Sequence, residues 1–247
     1  IISMEEYLPE YGPDLLEQIP EERWATTSLN GEKYAVPANK EVAVSWGFSC
    51  VKEMADATGV DYSNIKTEED LVPLLEAVKE MYPDVWPVVS GGGAMTVLNT
   101  NDDLGGDIGS LLDCTNPDDT TVINWYASDE YKKIVERRYE WVKKGLIPPD
   151  ASSSSDQAAT QIAAGRGFGQ FCNTKPGIEV EHQRSTTKEM LVFTLTPVYT
   201  TTTRVDILWY IAHNSTQPGR AIQVLNELYI NLSLIHISEP TRQEAIS

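Results

Sequence analysis

The ten residues from Val42 to Val51 carry no charge and consist of β-branched, aromatic and small side chains. A run of that length and composition predicts a buried strand. A buried strand needs cover, and the flanking patterns supply it. Lys52–Thr58 reads as a short helix closed by Gly59. Thr67 precedes Glu68, Glu69 and Asp70, the pattern of a capped helix start with acids in its first turn. Leu71, Leu74, Leu75, Val78 and Met81 then recur at core spacing until Pro83. Ser128 heads a long helix, Asp129–Lys144, with Tyr131, Ile134, Val135, Tyr139 and Val142 as its apolar stripe and Gly145 as its stop. Trp86–Val89, Phe168–Cys172, Met190–Leu195 and Ile207–Ala212 read as strands. Asp156–Ala164 and Pro218–Tyr229 read as helices, the second with Ala221, Val224, Leu225 and Leu228 on one face. Strands alternating with helices predict an α/β fold.

The flanks are less regular. Asp14–Ile19 reads as one short helix ended by Pro20, and Asn30-Gly31 as a hairpin turn ahead of Tyr34–Val36. Asn99–Asp119 reads as an acidic loop region, and Ser152–Ser155 as a short polar loop. Ser233–Ser247 breaks the pattern and resembles translated read-through of an adaptor, so residues 231–247 are expected to be a non-native tail.

A chain of 247 residues suits one large domain or two small ones. With 19 Lys+Arg against 37 Asp+Glu, the net charge of -18 opposes nucleic acid and anionic lipid. The basic cluster Lys132, Lys133, Arg137, Arg138, Lys143 and Lys144 is interleaved with Glu130, Glu136 and Glu140, and reads as a solvated helix face with i,i+4 pairing. No apolar run approaches the roughly 20 residues a membrane helix needs. Cys50, Cys114 and Cys172 show no zinc or redox spacing, and either three free thiols or one disulfide plus one thiol fits them. The chain opens at Ile1 without a leader, as a mature or truncated product would.

Motifs for catalysis or cofactors are weak. Gly91–Gly93 offers backbone N–H groups to an anion but lacks the Gly-Lys-Ser/Thr ending of a P-loop. Gly165, Gly167 and Gly169 miss the dinucleotide spacing. Asn99, Asn101, Asp102, Asp103 and Asp107 could ligate Ca²⁺, yet Leu104 and Ser110 stand where an EF-hand loop needs Gly and Glu. There is no G-x-S-x-G, and three scattered His leave little for a triad. No catalytic residue, metal or cofactor is therefore expected.

Four segments carry a resemblance. Asn30–Pro37 resembles the Gly-Lys-x-Tyr-x-x-Pro element of family 1 extracellular solute-binding proteins of ABC importers, the maltose-binding-protein type. Trp141–Ile147, Ala164–Gln170 and Ala212–Ala221 followed by Leu225–Tyr229 resemble further elements of that family, in the family's order. Lys175-Pro176-Gly177 resembles a turn of its Gram-positive lipoprotein members. The likeness covers roughly residues 5 to 230. It implies a two-lobed, type II periplasmic-binding-protein-like fold with lobe two complete and lobe one partial, truncated at both ends. Residues 1–44 would form part of lobe one and end in a strand that crosses to lobe two; 45–197 would be lobe two, and 198–230 the return segment. Hinge strands are expected near Ala38–Val44 and Thr196–Asp206.

The function implied is binding without chemistry: extracellular capture of a sugar or oligosaccharide by a monomer, and delivery to a membrane permease. The resemblance also implies lipid anchoring through an N-terminal Cys that this chain does not contain. A sugar clamp needs aromatic faces and a few orienting polar groups. Asn39, Glu41 and Trp46 on the crossing strand are the candidates, Glu41 standing four residues after Pro37 as a ligand-contacting Glu does in the maltose-binding type. Phe171, Asn173 and Lys175 form a second group, and Trp209 and Tyr210 a third, of which one should face the ligand and one the core. Opposed to this stands an ordinary reading: an exposed strand edge at Glu41, core packing at Trp46, a turn capped by Asn173. A different class, a carbohydrate-active hydrolase fragment, fits the acidic, aromatic-rich composition, because 37 acids always offer carboxylate pairs.

Overall fold

Pro9, Pro13 and Pro20 segment the start of the chain. In the computed structural model, which describes residues 1–38, 43–90, 100–104, 110–113, 118–200 and 207–231, they divide it into three short helices, α1 (Leu8–Tyr11), α2 (Pro13–Gln18) and α3 (Glu21–Ala25); α2 is the helix expected at Asp14–Ile19, and α1 and α3 flank it. Pro9 and Pro13 occupy first-turn positions, where the missing N–H costs nothing. The Asn30-Gly31 turn joins β1 (Ser28–Leu29) to β2 (Glu32–Lys33), with φ of 54° and 84° at the two turn residues, as the tight hairpin turn requires. β3 (Ala35–Pro37) follows, fully buried.

The chain divides into two compact units, Ile1–Glu41 with Thr202–Ser247, and Val42–Thr201. The second unit is built on β4 (Ala43–Val51). In chain order there follow α4 (Lys52–Thr58), α5 (Glu68–Met81), β5 (Trp86–Val88), β6 (Asn101–Asp103), β7 (Ser110–Asp113), β8 (Val122–Asn124), α6 (Asp129–Lys143), α7 (Ala158–Ala163), β9 (Gly167–Thr174), α8 (Ile178–Thr186), β10 (Met190–Thr194) and β11 (Tyr199–Thr200). The main sheet has the order β10-β4-β9-β5, with β11 beside the start of β4. β4 runs antiparallel to β9, β10 and β11, whereas β5 and β9 are parallel. Phe48, Leu71, Leu74, Leu75, Val78, Trp141, Ile162 and Phe168 fill the core around it.

Local signals act as read. Thr67 Oγ1 accepts the Asp70 N–H at 3.2 Å while the Asp70 carboxylate accepts the Thr67 N–H at 2.9 Å, a reciprocal cap. Gly59 and Gly145, both at φ 70°, end α4 and the turn after α6 in the left-handed region that glycine enters without strain. Four expectations differ from the structure. Met81 is exposed, because α5 runs past its last core turn. On α6 the buried residues are Ile134, Arg138 and Trp141, while Val135 and Tyr139 face outward. Three of the basic residues there pair between helices: Arg137 and Arg138 reach Glu68 at 2.7 Å, and Lys144 reaches Glu76 at 2.6 Å, while Lys143 pairs with Glu140 of its own helix at 3.1 Å. The acidic stretch expected as loop contains β6 and β7, which with β8 make an antiparallel sheet; strands of three or four residues are too short to show a period.

In the first unit, β12 (Leu208–Tyr210) pairs antiparallel with β3, and α9 (Pro218–Ile230) packs on α1 and α2. Met4, Leu8, Leu15, Ile19, Trp24, Val36, Ile211 and Ile222 form its core. The inward face of α9 is Gly219, Ile222 and Asn226; Val224 and Leu228, expected inward, are exposed. Asn226 explains the rotation. Its Oδ1 accepts the N–H groups of Asp14 and Leu15 at 3.1 and 3.2 Å, and its Nδ2 donates to the Asp14 carboxylate at 2.6 Å. α2 has no cap of its own at Gly12, so a side chain from α9 caps it across the core. Asn226→Ala should therefore destabilise this unit by about 1–2 kcal/mol, measurable as a shifted denaturant midpoint with unchanged slope. Among the described residues no helix is long and apolar enough to cross a membrane.

Candidate functional site

Residues opposed across a sheet share a face, and alternate residues change face. Trp46 is the register partner of Asn173, and Phe48 of Phe171. These four side chains therefore lie on one face of the β4–β9 pair. At the inner end Phe48 and Phe171 pack edge-to-face at 5.2 Å, and Phe171 stacks on Trp141 at 6.2 Å. At the outer end Asn173 is exposed and Trp46 half-buried. The face thus grades from an aromatic core to an open aromatic–amide pair. Two of the expected contacts, Trp46 and Asn173, are brought together. Phe171 is partly buried and packs against the core.

Trp46 is held on its polar edge. Its indole Nε1–H donates to Tyr199 Oη at 2.9 Å, its backbone N–H donates to Thr196 Oγ1 at 2.8 Å, and its carbonyl accepts the N–H groups of Leu195 and Thr196. Neither Tyr199 nor Thr196 is marked by the sequence, since no motif links them to Trp46. Beneath Phe171 lies a buried charge. Arg138, 2% exposed, sits over the rings of Trp141 and Phe171 at 4.6 and 4.7 Å and donates to both Glu68 oxygens at 2.7 and 2.8 Å.

The opposite face of β4 is polar. Ser45 Oγ lies 2.5 Å from Thr174 Oγ1, and Ser49 Oγ lies 2.7 Å from His182 Nδ1. Burial lowers the His182 pKa against the pull of Glu181 and Glu179. Ser49 is fully buried, so this pair offers no path to a substrate. Cys50 and Cys172 are free thiols, and burial pushes both up, Cys172 to about 12; they are unreactive at neutral pH. Cys114 lies outside the described residues.

The remaining candidates are separate. Lys175 is exposed and paired with Glu181 at 2.9 Å. Trp209 and Tyr210, in the other unit, are 49% and 48% exposed, so neither enters the core as alternation predicted. β12 lies against β3 by its edge, and the next residue, Ile211, takes the core position. Asn39 and Glu41 lie outside the described residues, as do Gly91–Gly93, Asn99 and Asp107. A groove of about 360 Å³ opens along α6, lined in part by Tyr131, Val135, Tyr139, Pro148 and Pro149, and includes none of the candidate contacts. Among the described residues no group of three or more His, Cys, Asp or Glu side chains could hold a metal. Hydrogen-bond donors hold Asp56, Asp61, Asp70 and Asp119 below the usual carboxylate range, the opposite of what a proton-donating acid needs.

The N-glycan transport solute-binding protein NgtS of Streptococcus pneumoniae superposes on 95% of this chain with a TM-score of 0.81, at 22% identity and over 52% of its own length. Its complex with Man1GlcNAc gives 0.79. The fold is type II periplasmic-binding-protein-like. A maltose-bound Thermotoga maritima MalE3 extends the likeness to the maltose-binding type, with a TM-score of 0.57 at 12% identity over 95% of this chain and 59% of that one. In sequence, a carbohydrate ABC transporter substrate-binding protein of Streptococcus pneumoniae serotype 4 is 28% identical over 143 residues, which is 58% of this chain and 29% of that protein. No family model matches. The chain spans about half the length of the solved solute-binding proteins and under a third of the curated relative. Within this fold the resembling segments become structure: Gly31–Pro37 is a hairpin leading into β3, Trp141–Ile147 the close of α6, Ala164–Gln170 the turn from α7 into β9, and Leu225–Tyr229 part of α9. The Streptococcus pneumoniae relatives are named as substrate-binding and solute-binding proteins.

Proposed function

We propose that this chain captures a saccharide outside the cell for an ABC importer and presents it to a membrane permease. The observation that carries the reading is its sequence similarity to a carbohydrate ABC transporter substrate-binding protein, in a fold shared with glycan-bound NgtS. The geometry supports it: Trp46 and Asn173 give an aromatic ring beside an amide at the open end of a rigid sheet, the combination a sugar needs for stacking and orientation. In this reading Trp46 and Asn173 touch the solute, and Phe171 supports them from the core. Asn39 and Glu41 on the crossing segment, Lys175, and Trp209 and Tyr210 of the other unit are further proposed contacts. Ala38–Val44 and Thr196–Asp206 are the proposed hinges, since the boundaries between the two units, Glu41/Val42 and Thr201/Thr202, fall within them.

A melting-temperature panel tests this, using Man1GlcNAc, Man5GlcNAc and maltose, with amino acids and nucleotides as controls. One saccharide class should raise the melting temperature. At a hundredfold excess over Kd the ligand adds about 2.7 kcal/mol, or several degrees for a chain of this size. A flat response to every saccharide, with the chain folded, would contradict the reading.

A further inference from the structure

An indole has one polar atom, its N–H, which can donate one hydrogen bond. In Trp46 that bond is made to Tyr199 Oη at 2.9 Å. Tyr199 is itself nearly buried, and its strand β11 pairs with β4 two residues before Trp46, through Tyr199↔Val44 and Thr200↔Ala43. The Trp46 backbone is fixed independently by Thr196 and Leu195. The backbone bonds set where the side chain starts, and the Tyr199 bond sets which way the ring turns. With its donor committed, Trp46 can offer a solute only the apolar surface of its ring.

From this we infer that Tyr199 is a positioning residue, which orients Trp46 so that solute contact there is stacking and never hydrogen bonding. The inference rests on the reading that the chain captures saccharides. It makes a specificity statement about that site: Trp46 selects for sugars with an exposed apolar C–H face and is indifferent to the hydroxyl pattern at that position. It also links the site to the chain path. In sequence Val42 and Thr201 bound the second unit, and the pairs Tyr199↔Val44 and Thr200↔Ala43 join β11 to β4 next to those bounds. The phenol that orients Trp46 therefore lies two residues from a crossing between units.

The test is a double-mutant cycle on the full chain, with saccharide affinity as one readout and the indole N–H resonance of Trp46 in ¹⁵N-tryptophan-labelled protein as the other. Tyr199→Phe removes the hydroxyl that accepts from Trp46 and keeps the ring. It should move the Trp46 resonance upfield and weaken binding of the saccharide found in the panel roughly threefold to tenfold, the worth of one neutral hydrogen bond. Trp46→Phe keeps a ring face and has no N–H. In that background Tyr199→Phe should change affinity less than twofold. Equal loss in both backgrounds would mean that Tyr199 acts on general structure, and no loss in either that it does not orient the ring for binding; both results overturn the inference and leave capture standing. If the unmodified chain binds no saccharide while the resonance shift occurs, the capture reading fails and this inference with it.

Discussion

Arg138→Met should lower the melting temperature of the second unit by roughly 6–12 °C, the consequence of losing about 3 kcal/mol in a domain of this size. Arg138 looks expendable, one of six basic residues on one helix. The structure makes it part of the core. Its guanidinium lies over the rings of Trp141 and Phe171, and its two terminal nitrogens meet both oxygens of Glu68, itself 6% exposed. Removal leaves a buried carboxylate with only Arg137, which is partly solvated and shared with Glu69. The pH dependence gives the mechanism a second signature. Burial pushes the Glu68 pKa up, but Arg138 and Arg137 together outweigh burial and hold it below its ordinary value. A carboxylate depressed in the folded state stabilises above its unfolded pKa, about 4.3, and that contribution is lost as pH falls through the folded value. In Arg138→Met the acid loses its main partner, so the gap between variant and parent should be widest at neutral pH and narrow below about pH 4. Replacing both partners, as Arg138→Met with Glu68→Leu, should recover much of the loss. Equal stability of parent and single variant, by calorimetry at pH 7, would show that the pair contributes nothing.

Gly47→Ala should be as damaging, for a different reason. A Cβ built at Gly47 collides with the backbone carbonyl oxygen of Phe193 and lies 2.5 Å from Thr174 Cγ2. The carbonyl belongs to β10, which stays paired with β4 through Phe193↔Phe48 and Thr194↔Gly47, and just beyond it the N–H groups of Leu195 and Thr196 close on the Trp46 carbonyl. The obstacle is main chain, so no rotamer change relieves it. The strands must part, at a cost of about 3 kcal/mol or more. Amide exchange in β10 should accelerate with the fall in melting temperature, while the amides of α9 keep their protection. An Ala variant with parental stability would mean that β10 does not approach β4 as described.

How far this was legible beforehand depends on which forces act locally. The strand Ala43–Val51 was visible because burial on a sheet leaves a run without charge, rich in β-branched and aromatic side chains. The capped start of α5 and the stops at Gly59 and Gly145 were visible because caps and turns are decided within a few residues. The faces of α6 and α9 were not. Hydrophobic spacing turns an Arg or an Asn outward, whereas Arg138 and Asn226 are inward because partners far along the chain, Glu68 and Asp14, satisfy them. The same limit applies to the site. Trp46 stood out as an aromatic on the crossing strand, and its pairing with Asn173 follows from strand register. Its partner Tyr199, 153 residues away, is chosen by the return of β11 to β4, which nothing local encodes. The alternation assumed for Trp209 and Tyr210 failed because β12 is short and Ile211 takes the core position.

Saccharide capture is the central claim, and isothermal titration of the 247-residue chain addresses it without labels or variants. Man1GlcNAc, Man5GlcNAc and maltose would each be titrated at pH 7, with the folded state of the sample checked by its melting transition. The account predicts saturable heat from one of them at one site per chain. A folded chain that gives only heats of dilution with all three would contradict it.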